Sequence, residues 1–310
     1  MIRGILERIA GLGTWLMASA FVIGYLIPPL AAACRDVILP AIVVILTIAM
    51  LRLDVARLRA YIRRPGTMAL IVLANLIAAP VMMWLLLIPV GIPDELRQGM
   101  VLLAAAPMVS SAIAFATILE LDSALAVAVM VTTYAIVPIT LPALSIWLLG
   151  LDLGVGFFDL FSRLFATIAV PAGIAFAIRR WVCRPATMAE NARALDGVSV
   201  IFVMIFGFGI IDGLPAFVAA QPDYVMLVLA TSFAANIGLQ VFGAALFLWM
   251  GRREALTVGL VTGNTNLGLM MVTLADRAPP ELLVCFVLGQ IPMYFLPVVA
   301  LPVYRRLMRP

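Results

Sequence analysis

Apolar stretches of about 18 or more residues recur along the whole length of this 310-residue chain. Each stretch is long enough to cross the hydrocarbon core of a bilayer as a helix. Hydrophobic residues make up 65% of the sequence and charged residues 12%, against roughly 45–50% and about 25% in soluble domains. The sequence therefore predicts an all-α polytopic membrane protein.

Ten transmembrane spans are predicted. They cover residues 12–32, 37–51, 67–90, 97–119, 123–149, 157–179, 197–219, 224–250, 254–275 and 281–304. The arginines concentrate in the termini and in alternate loops, whereas the remaining loops are acidic or nearly neutral. The arginine-rich side carries Arg3, Arg8, Arg52, Arg57, Arg59, Arg63, Arg64, Arg179, Arg180, Arg184, Arg193, Arg252, Arg253, Arg305, Arg306 and Arg309. Since cytoplasmic loops are enriched in basic residues, both termini are predicted to be cytoplasmic. We expect an integral protein of a bacterial inner membrane.

The charged composition also excludes several functions. The chain contains no His and no Lys, so histidine-based zinc peptidases, catalytic triads and proton relays are excluded. The net charge of +4 is explained by membrane orientation, because the arginines lie at helix ends, and no nucleic-acid partner is expected. Cys34, Cys183 and Cys285 are too scattered for a disulfide framework or a metal site. We expect no cofactor and no bound metal.

Two of the spans contain helix breaks at corresponding places. In span four the break is Pro107-Met108-Val109-Ser110-Ser111, and in span nine it is Gly263-Asn264-Thr265-Asn266-Leu267-Gly268. Residues 1–150 and 151–310 hold five spans each, and five is odd, so any repeat of one half in the other must be inverted. The sequence predicts two inverted five-helix repeats with discontinuous helices four and nine.

Such breaks are typical binding sites of transporters. A restarting half-helix presents free N–H groups and the positive end of its dipole, which suits an anion, while the carbonyls of the preceding half suit a cation. The candidate substrate-binding residues are Ser110, Ser111, Asn264, Thr265 and Asn266, with Thr132, Thr133 and Tyr134 of span five as secondary candidates. The alternative is that these side chains only cap broken helices or bond to neighbouring helices. Asp122, just before span five, is predicted to be a helix N-cap.

The order and spacing of several short motifs resemble the bile acid:sodium symporter superfamily, in its ten-helix bacterial form, over essentially the whole chain. The motifs are Thr47 to Leu51 before an arginine-rich loop, Ala79-Pro80, Ala106-Pro107, Leu121 to Val127, Pro138 with Pro142, and Gly263, Asn266, Gly268 and Leu269. The resemblance implies a panel domain with two helices per repeat and a core domain in which spans four and nine cross at their breaks. It also implies transport of organic anions by alternating access.

The chain departs from that family at the positions that the resemblance assigns to sodium. Those positions hold Ala112, Ile113, Ala126, Met130, Val261 and Thr265 where the family has mainly oxygen-bearing ligands. We therefore predict that the usual pair of sodium sites is absent. A proton could couple transport through an intramembrane carboxylate. The candidate is Asp212 in span seven, although its place near the outer end of that span favours a water-exposed helix terminus.

The sequence thus predicts a secondary transporter for a small organic anion that is not coupled to sodium through the family's usual sites. The alternatives are a sodium- or proton-coupled symporter, an efflux carrier of the auxin or arsenite type, and a membrane sensor that does not transport. An intramembrane enzyme is not expected, because Ser110 and Ser111 have no His or Lys to activate them.

Overall fold

The computed structural model of the chain describes residues 2–52, 61, 64–150, 156–182, 185–274 and 277–308. These residues form helices and no strand, and one isolated antiparallel bridge joins Met108 to Thr265. Six helices in the described ranges are long and apolar enough to cross a membrane, or seven if one bent pair is a single span. The all-α membrane class is confirmed in this form, and the count of ten spans stays a prediction.

Several of the predicted spans consist of two or more shorter helices. The first half contains α1 (Ile2–Gly11), α2 (Gly13–Leu26), α3 (Pro28–Arg35), α4 (Ile38–Leu51), α5 (Pro65–Leu73), α6 (Ala79–Leu87), α7 (Asp94–Ala105), α8 (Ser111–Ile118) and α9 (Ser123–Ala143). The second half contains α10 (Phe157–Ala177), α11 (Pro185–Glu190), α12 (Ala192–Ile210), α13 (Leu214–Ala220), α14 (Pro222–Leu246), α15 (Arg252–Gly263), α16 (Leu267–Leu274), α17 (Pro280–Leu288), α18 (Gln290–Val299) and α19 (Leu301–Leu307). Some of the arginines that predict the membrane orientation and one of the three cysteines lie outside the described ranges: Arg57, Arg59, Arg63, Arg184, Arg309 and Cys183.

The chain forms two compact units. The first consists of Met1–Leu53 and Phe165–Pro222, and the second of Asp54–Leu164 and Asp223–Pro310. Each unit therefore contains segments from both predicted halves, 1–150 and 151–310. The inverted-repeat relation between those halves stays a prediction.

In the first unit, α1, α2, α3 and α4 all pack against α12. Glycines of α12 permit this close approach: a Cβ atom on Gly197 would lie 2.1 Å from the Leu6 carbonyl oxygen, and one on Gly209 would lie 2.8 Å from the Cys34 carbonyl oxygen. Small residues at helix contacts are typical of membrane proteins, where tight van der Waals packing holds helices together. In the first unit, α12 is thus the common packing partner of α1, α2, α3 and α4.

The second unit contains both predicted breaks in its most buried part. Residues 99–108 are buried without interruption, as are residues 257–265. Helix α7 packs against α6 and α17, and α9 packs against α8 and α15. The breaks therefore lie in the protein core of this unit, the environment in which broken helix is tolerated at membrane depth.

Local sequence explains where α7 and α15 end. Ala106 has φ −68° and ψ 148°, because the ring of Pro107 disfavours α-helical geometry in the residue before it. Gly263 ends α15, and Asn264 leaves the helix with φ −109° and ψ 86°. Gly, Asn and Thr in succession are poor helix formers, so the second break also follows from the sequence.

The start of α9 confirms the predicted N-cap. The Asp122 carboxylate accepts hydrogen bonds from the amides of Ala124 at 3.0 Å and Leu125 at 2.9 Å. Its other oxygen accepts a hydrogen bond from the Tyr61 hydroxyl. Burial, together with this bond to a carboxylate, raises the pKa of Tyr61 well above its ordinary value. The phenol is therefore a donor throughout the physiological range.

Candidate functional site: the paired helix breaks

The two breaks pair with each other through their backbones. The Val109 amide donates to the Asn264 carbonyl at 2.9 Å, and the Asn266 amide donates to the Pro107 carbonyl at 2.6 Å. These bonds flank the bridge between Met108 and Thr265. They satisfy backbone groups that the breaks release from the α-helical pattern, and an unpaired group would cost several kcal/mol in a water-free interior. The breaks thus form one joint structure, called the crossing below.

At the crossing, one carbonyl near the end of α7 and one at the end of α15 each accept a hydrogen bond from a side-chain donor. The Thr265 hydroxyl donates to the Leu103 carbonyl in the last turn of α7 at 2.7 Å. The Asn236 amide, from α14, donates to the Gly263 carbonyl at the end of α15 at 2.6 Å. Thr265 is 3% exposed and Asn236 1% exposed. Two carbonyls that would suit a cation are therefore bonded to protein donors.

Asn264 is turned into the protein and is fully buried. Its amide nitrogen donates to the Leu260 carbonyl at 2.8 Å. Its Oδ1 atom has no hydrogen-bond partner among the described residues. The Asn264 side chain therefore caps α15 through its Nδ2 atom, and its Oδ1 atom is an acceptor that no described residue uses.

The amino ends of the two restarting helices differ. Asn266 caps α16, because its Oδ1 atom accepts from the Leu269 amide at 3.0 Å. Its Nδ2 atom donates to the Tyr134 hydroxyl at 2.5 Å. Helix α8 begins without a side-chain cap at Ser110. The Ala112 and Ile113 amides in the first turn of α8 donate to the Val109 and Ser110 carbonyls at 3.1 and 3.2 Å, so among the described residues the amino end of α8 differs from that of α16 in lacking a side-chain cap.

Ser111 and Tyr294 lie together beside this uncapped end. The Ser111 hydroxyl is buried and makes no well-formed hydrogen bond within the described ranges, although the Tyr294 hydroxyl lies next to it. The Tyr294 ring also contacts Phe115, one turn further along α8, with centroids 6.4 Å apart. Ser110, Ser111 and Tyr294 are half-buried rather than sealed. Two hydroxyls and a helix amino end therefore converge at one place.

Thr132 and Thr133 have hydroxyls that are bonded within their own helix. Thr132 donates to the Ala128 carbonyl and Thr133 to the Val129 carbonyl, both at 2.8 Å. Thr132 also lines an apolar groove of about 480 Å³ between α5 and α9, with Thr140 and eight apolar residues. The next residue, Tyr134, is the one whose hydroxyl reaches the crossing.

Asp212 lies in the first unit, in the turn between α12 and α13. Its carboxylate accepts from the Arg35 guanidinium at 3.2 Å, and the two side chains are 24% and 70% exposed. The Asp212 carboxylate therefore forms a structural ion pair with Arg35.

The positions that the resemblance assigns to sodium are mostly packed with apolar side chains. Ala112, Ala126 and Val261 are fully buried and Met130 nearly so, while Ile113 is partly buried. Thr265 has its hydroxyl engaged with Leu103. These side chains offer sodium few of the oxygen ligands that hard cations take in proteins.

Four site residues were not singled out from the sequence: Tyr294 at the α8 end, and Asn236, Gln240 and Tyr304, which form a hydrogen-bonded chain to Gly263. Asn236 and Gln240 stand four residues apart and are the two side-chain amides of a largely apolar span. Polar residues at that spacing lie on one helix face, and that spacing is the signal that points to them.

An apolar, all-helical chain with two broken helices paired in a buried core is a membrane transporter by class. The chain belongs to the sodium bile acid symporter family, whose sequence model matches residues 39–214. The match includes the break between α7 and α8, whereas the break between α15 and α16 lies beyond it. No curated protein gives a significant match. Family membership makes the protein an integral membrane transporter.

Proposed function

We propose that this protein is a secondary transporter for a small organic anion, working by alternating access and not coupled to sodium through the family's usual sites. The observation that carries the proposal is the contrast between the two kinds of helix end at the crossing. The Leu103 and Gly263 carbonyls near the ends of α7 and α15 accept bonds from protein donors, whereas the amino end of α8 has no side-chain cap among the described residues.

The substrate's anionic group is assigned to the amino end of α8. An anion there is stabilised by the positive end of the helix dipole. The Ser111 hydroxyl, which has no well-formed bond to any described residue, supplies a further donor, and the Tyr294 hydroxyl lies beside it. Asn266 holds the opposite face of the crossing through Tyr134 and the α16 cap. The crossing is therefore equipped for a carboxylate-sized group.

The wider architecture is proposed on the basis of the sequence pattern and the family. Ten spans in two inverted repeats, with both termini in the cytoplasm of a bacterial cell, agree with the charge distribution of the loops. Transport by alternating access requires one part of the protein to move against another around a fixed site. The division of the chain into two compact units supports such a mechanism.

A sodium-coupled symporter is the second candidate, and the family name favours it. Against it stand the buried apolar side chains at Ala112, Ala126, Met130 and Val261. Proton coupling through Asp212 is less favoured, because its carboxylate pairs with Arg35.

Uptake into liposomes separates these functions. Purified protein is reconstituted and given labelled carboxylates, from pyruvate to cholate, with sodium or with choline as the external cation. We expect uptake of one or more of these acids that is equal in the two cations. Sodium-stimulated uptake would favour the second candidate, and tight binding without uptake would favour a sensor.

The site is tested by Ser111→Ala. Loss of one donor to an anion should weaken binding by roughly 10- to 150-fold, since hydrogen bonds to charged groups contribute about 1.5–3 kcal/mol. Thr132→Val is the matched control, because the Thr132 hydroxyl is bonded within α9, and it should bind normally. Unchanged binding in Ser111→Ala would place the anion elsewhere.

A further inference from the structure

The end of α15 is held by a chain of three side chains that ends on a backbone carbonyl. The Tyr304 hydroxyl donates to the Gln240 side-chain oxygen at 2.6 Å, and the Gln240 amide donates to the Asn236 side-chain oxygen at 2.5 Å. The Asn236 amide then donates to the Gly263 carbonyl at 2.6 Å. Tyr304 is 7% exposed and Asn236 1% exposed. The chain thus runs from α19 through α14 to the crossing in a largely dry environment.

The chemistry of its ends fixes the direction of this chain. A carbonyl oxygen can only accept, so Asn236 must face Gly263 with its NH₂ group and Gln240 with its oxygen. Gln240 must then present its NH₂ group to Asn236 and its oxygen to Tyr304, which donates. Reversing any one amide would place two acceptors against each other. The three residues therefore act as one unit that delivers a donor to Gly263.

Two glycines of α15 allow the Asn236 amide to lie close to the end of that helix. A Cβ atom on Gly263 would lie 2.5 Å from Gln240 Cγ and 2.9 Å from the Asn236 carbonyl oxygen. One on Gly259 would lie 2.4 Å from the Gln240 carbonyl oxygen. The missing side chains allow α14 and α15 to approach closely, as small residues do at membrane helix contacts. The amide has little freedom to leave the carbonyl.

A helix carboxyl end carries a partial negative charge of about half an electron, and broken transporter helices commonly present such ends to a cation. We propose that the Asn236 amide is a permanent neutral substitute for a cation at the carboxyl end of α15, oriented by Gln240 and Tyr304. Asn236 is thus a positioning residue that makes the crossing independent of cations. The inference rests on the sodium independence of the proposed function and extends it by naming the group that replaces the ion.

The proposal predicts that one substitution creates a cation requirement. Asn236→Asp places a carboxyl group against the Gly263 carbonyl at unchanged volume, and either a proton or a cation must then lie between the two oxygens. The comparison is made at pH 9, where a cation is favoured over the proton. We expect the melting temperature of detergent-purified N236D to be higher in sodium chloride than in choline chloride of equal ionic strength, by on the order of 5 °C. Wild type should melt at the same temperature in both salts.

Asn75→Asp is the matched control. Asn75 is also buried and donates to the Ile71 carbonyl at 2.8 Å. Ile71 does not lie at a helix end, because a π-helical turn over Ala74–Ala78 joins α5 to α6 and the helix is continuous over Pro65–Val90. N75D should lower the melting temperature equally in sodium and in choline. A sodium response confined to N236D then separates the helix-end effect from the general effect of burying a carboxylate.

Tyr304→Phe keeps the proposal testable where N236D does not fold. It removes only the outermost donor, so the melting temperature should fall more than in Tyr25→Phe, whose side chain is 38% exposed, and equally in both salts. A Y304F protein as stable as Y25F would overturn the inference. So would an N236D protein indifferent to sodium beside an indifferent wild type, which leaves the proposed function intact. Sodium stabilisation of wild type itself would overturn both.

Discussion

The hydrogen bond between Asn266 and Tyr134 offers a quantitative test of how the crossing is held together. The Asn266 Nδ2 atom and the Tyr134 hydroxyl oxygen are 2.5 Å apart, and their bond joins the break in span nine to helix α9 across 132 residues of sequence. Tyr134 is 4% exposed, so water cannot readily replace a lost partner. Interhelical hydrogen bonds in membrane proteins average about 0.6 kcal/mol and reach about 1.7. A short and buried bond of this kind should contribute about 1 kcal/mol.

Each single substitution removes a different set of interactions. Tyr134→Phe removes only this bond and should destabilise the protein by about 1 kcal/mol. Asn266→Ala removes the same bond and also the cap on the Leu269 amide, which adds about 1 kcal/mol. The double variant loses the shared bond once, so its loss should be about 2 kcal/mol, against a sum of about 3.

The assay is reversible unfolding of the purified protein by SDS in mixed micelles, followed by circular dichroism. The four proteins of the cycle are compared at one detergent composition. Thr132→Val is a control for altering a hydroxyl in α9, and we expect a change within about 0.5 kcal/mol. Strict additivity of the two substitutions would show that Asn266 and Tyr134 are not coupled, and the description of the crossing would then be wrong.

Three further substitutions test other contacts. Asp122→Ala removes the cap of α9 and should lower the free energy of unfolding by about 1–2 kcal/mol in the same assay. A variant as stable as wild type would show that this cap does not stabilise the protein. Thr265→Val leaves the Leu103 carbonyl without its hydroxyl donor and should cost about 1 kcal/mol, with no gain of sodium binding in isothermal titration; a sodium signal would contradict the argument from apolar neighbours. Gly197→Ala forces a methyl group to within 2.1 Å of a carbonyl oxygen of α1 and should lower the melting temperature by several degrees. Gly173→Ala, where the added Cβ would meet none of the described neighbours within 4 Å, should not lower it.

Much of the candidate site could be predicted because helix ends are local events. Pro107 disfavours helix in the preceding residue whatever the rest of the chain does, and Asp122 caps α9 with amides two and three residues away. Both features follow from short stretches of sequence. The set of polar residues at the two breaks was likewise visible, because polar side chains are rare within apolar runs.

The use of those polar residues could not be predicted in the same way. Thr265 resembles a substrate ligand in the sequence, yet its hydroxyl is bonded to a carbonyl 162 residues away. Thr132 and Thr133 resemble site residues, yet their hydroxyls are bonded within α9. Only the packing of the helices decides which hydroxyls lack a well-formed hydrogen bond, and in the part of the chain that the structure describes Ser111 is one of them.

The sequence by itself determined the membrane environment, the helical class and the positions of the two breaks, because apolar content and local backbone preferences act over a few residues at a time. The tertiary structure decided that the breaks pair, that Asn236 reaches the Gly263 carbonyl and that Tyr134 reaches Asn266. Those partners are 27 and 132 residues apart. Their meeting depends on which helix faces pack together, and glycines such as Gly259 and Gly263 set how closely they do so.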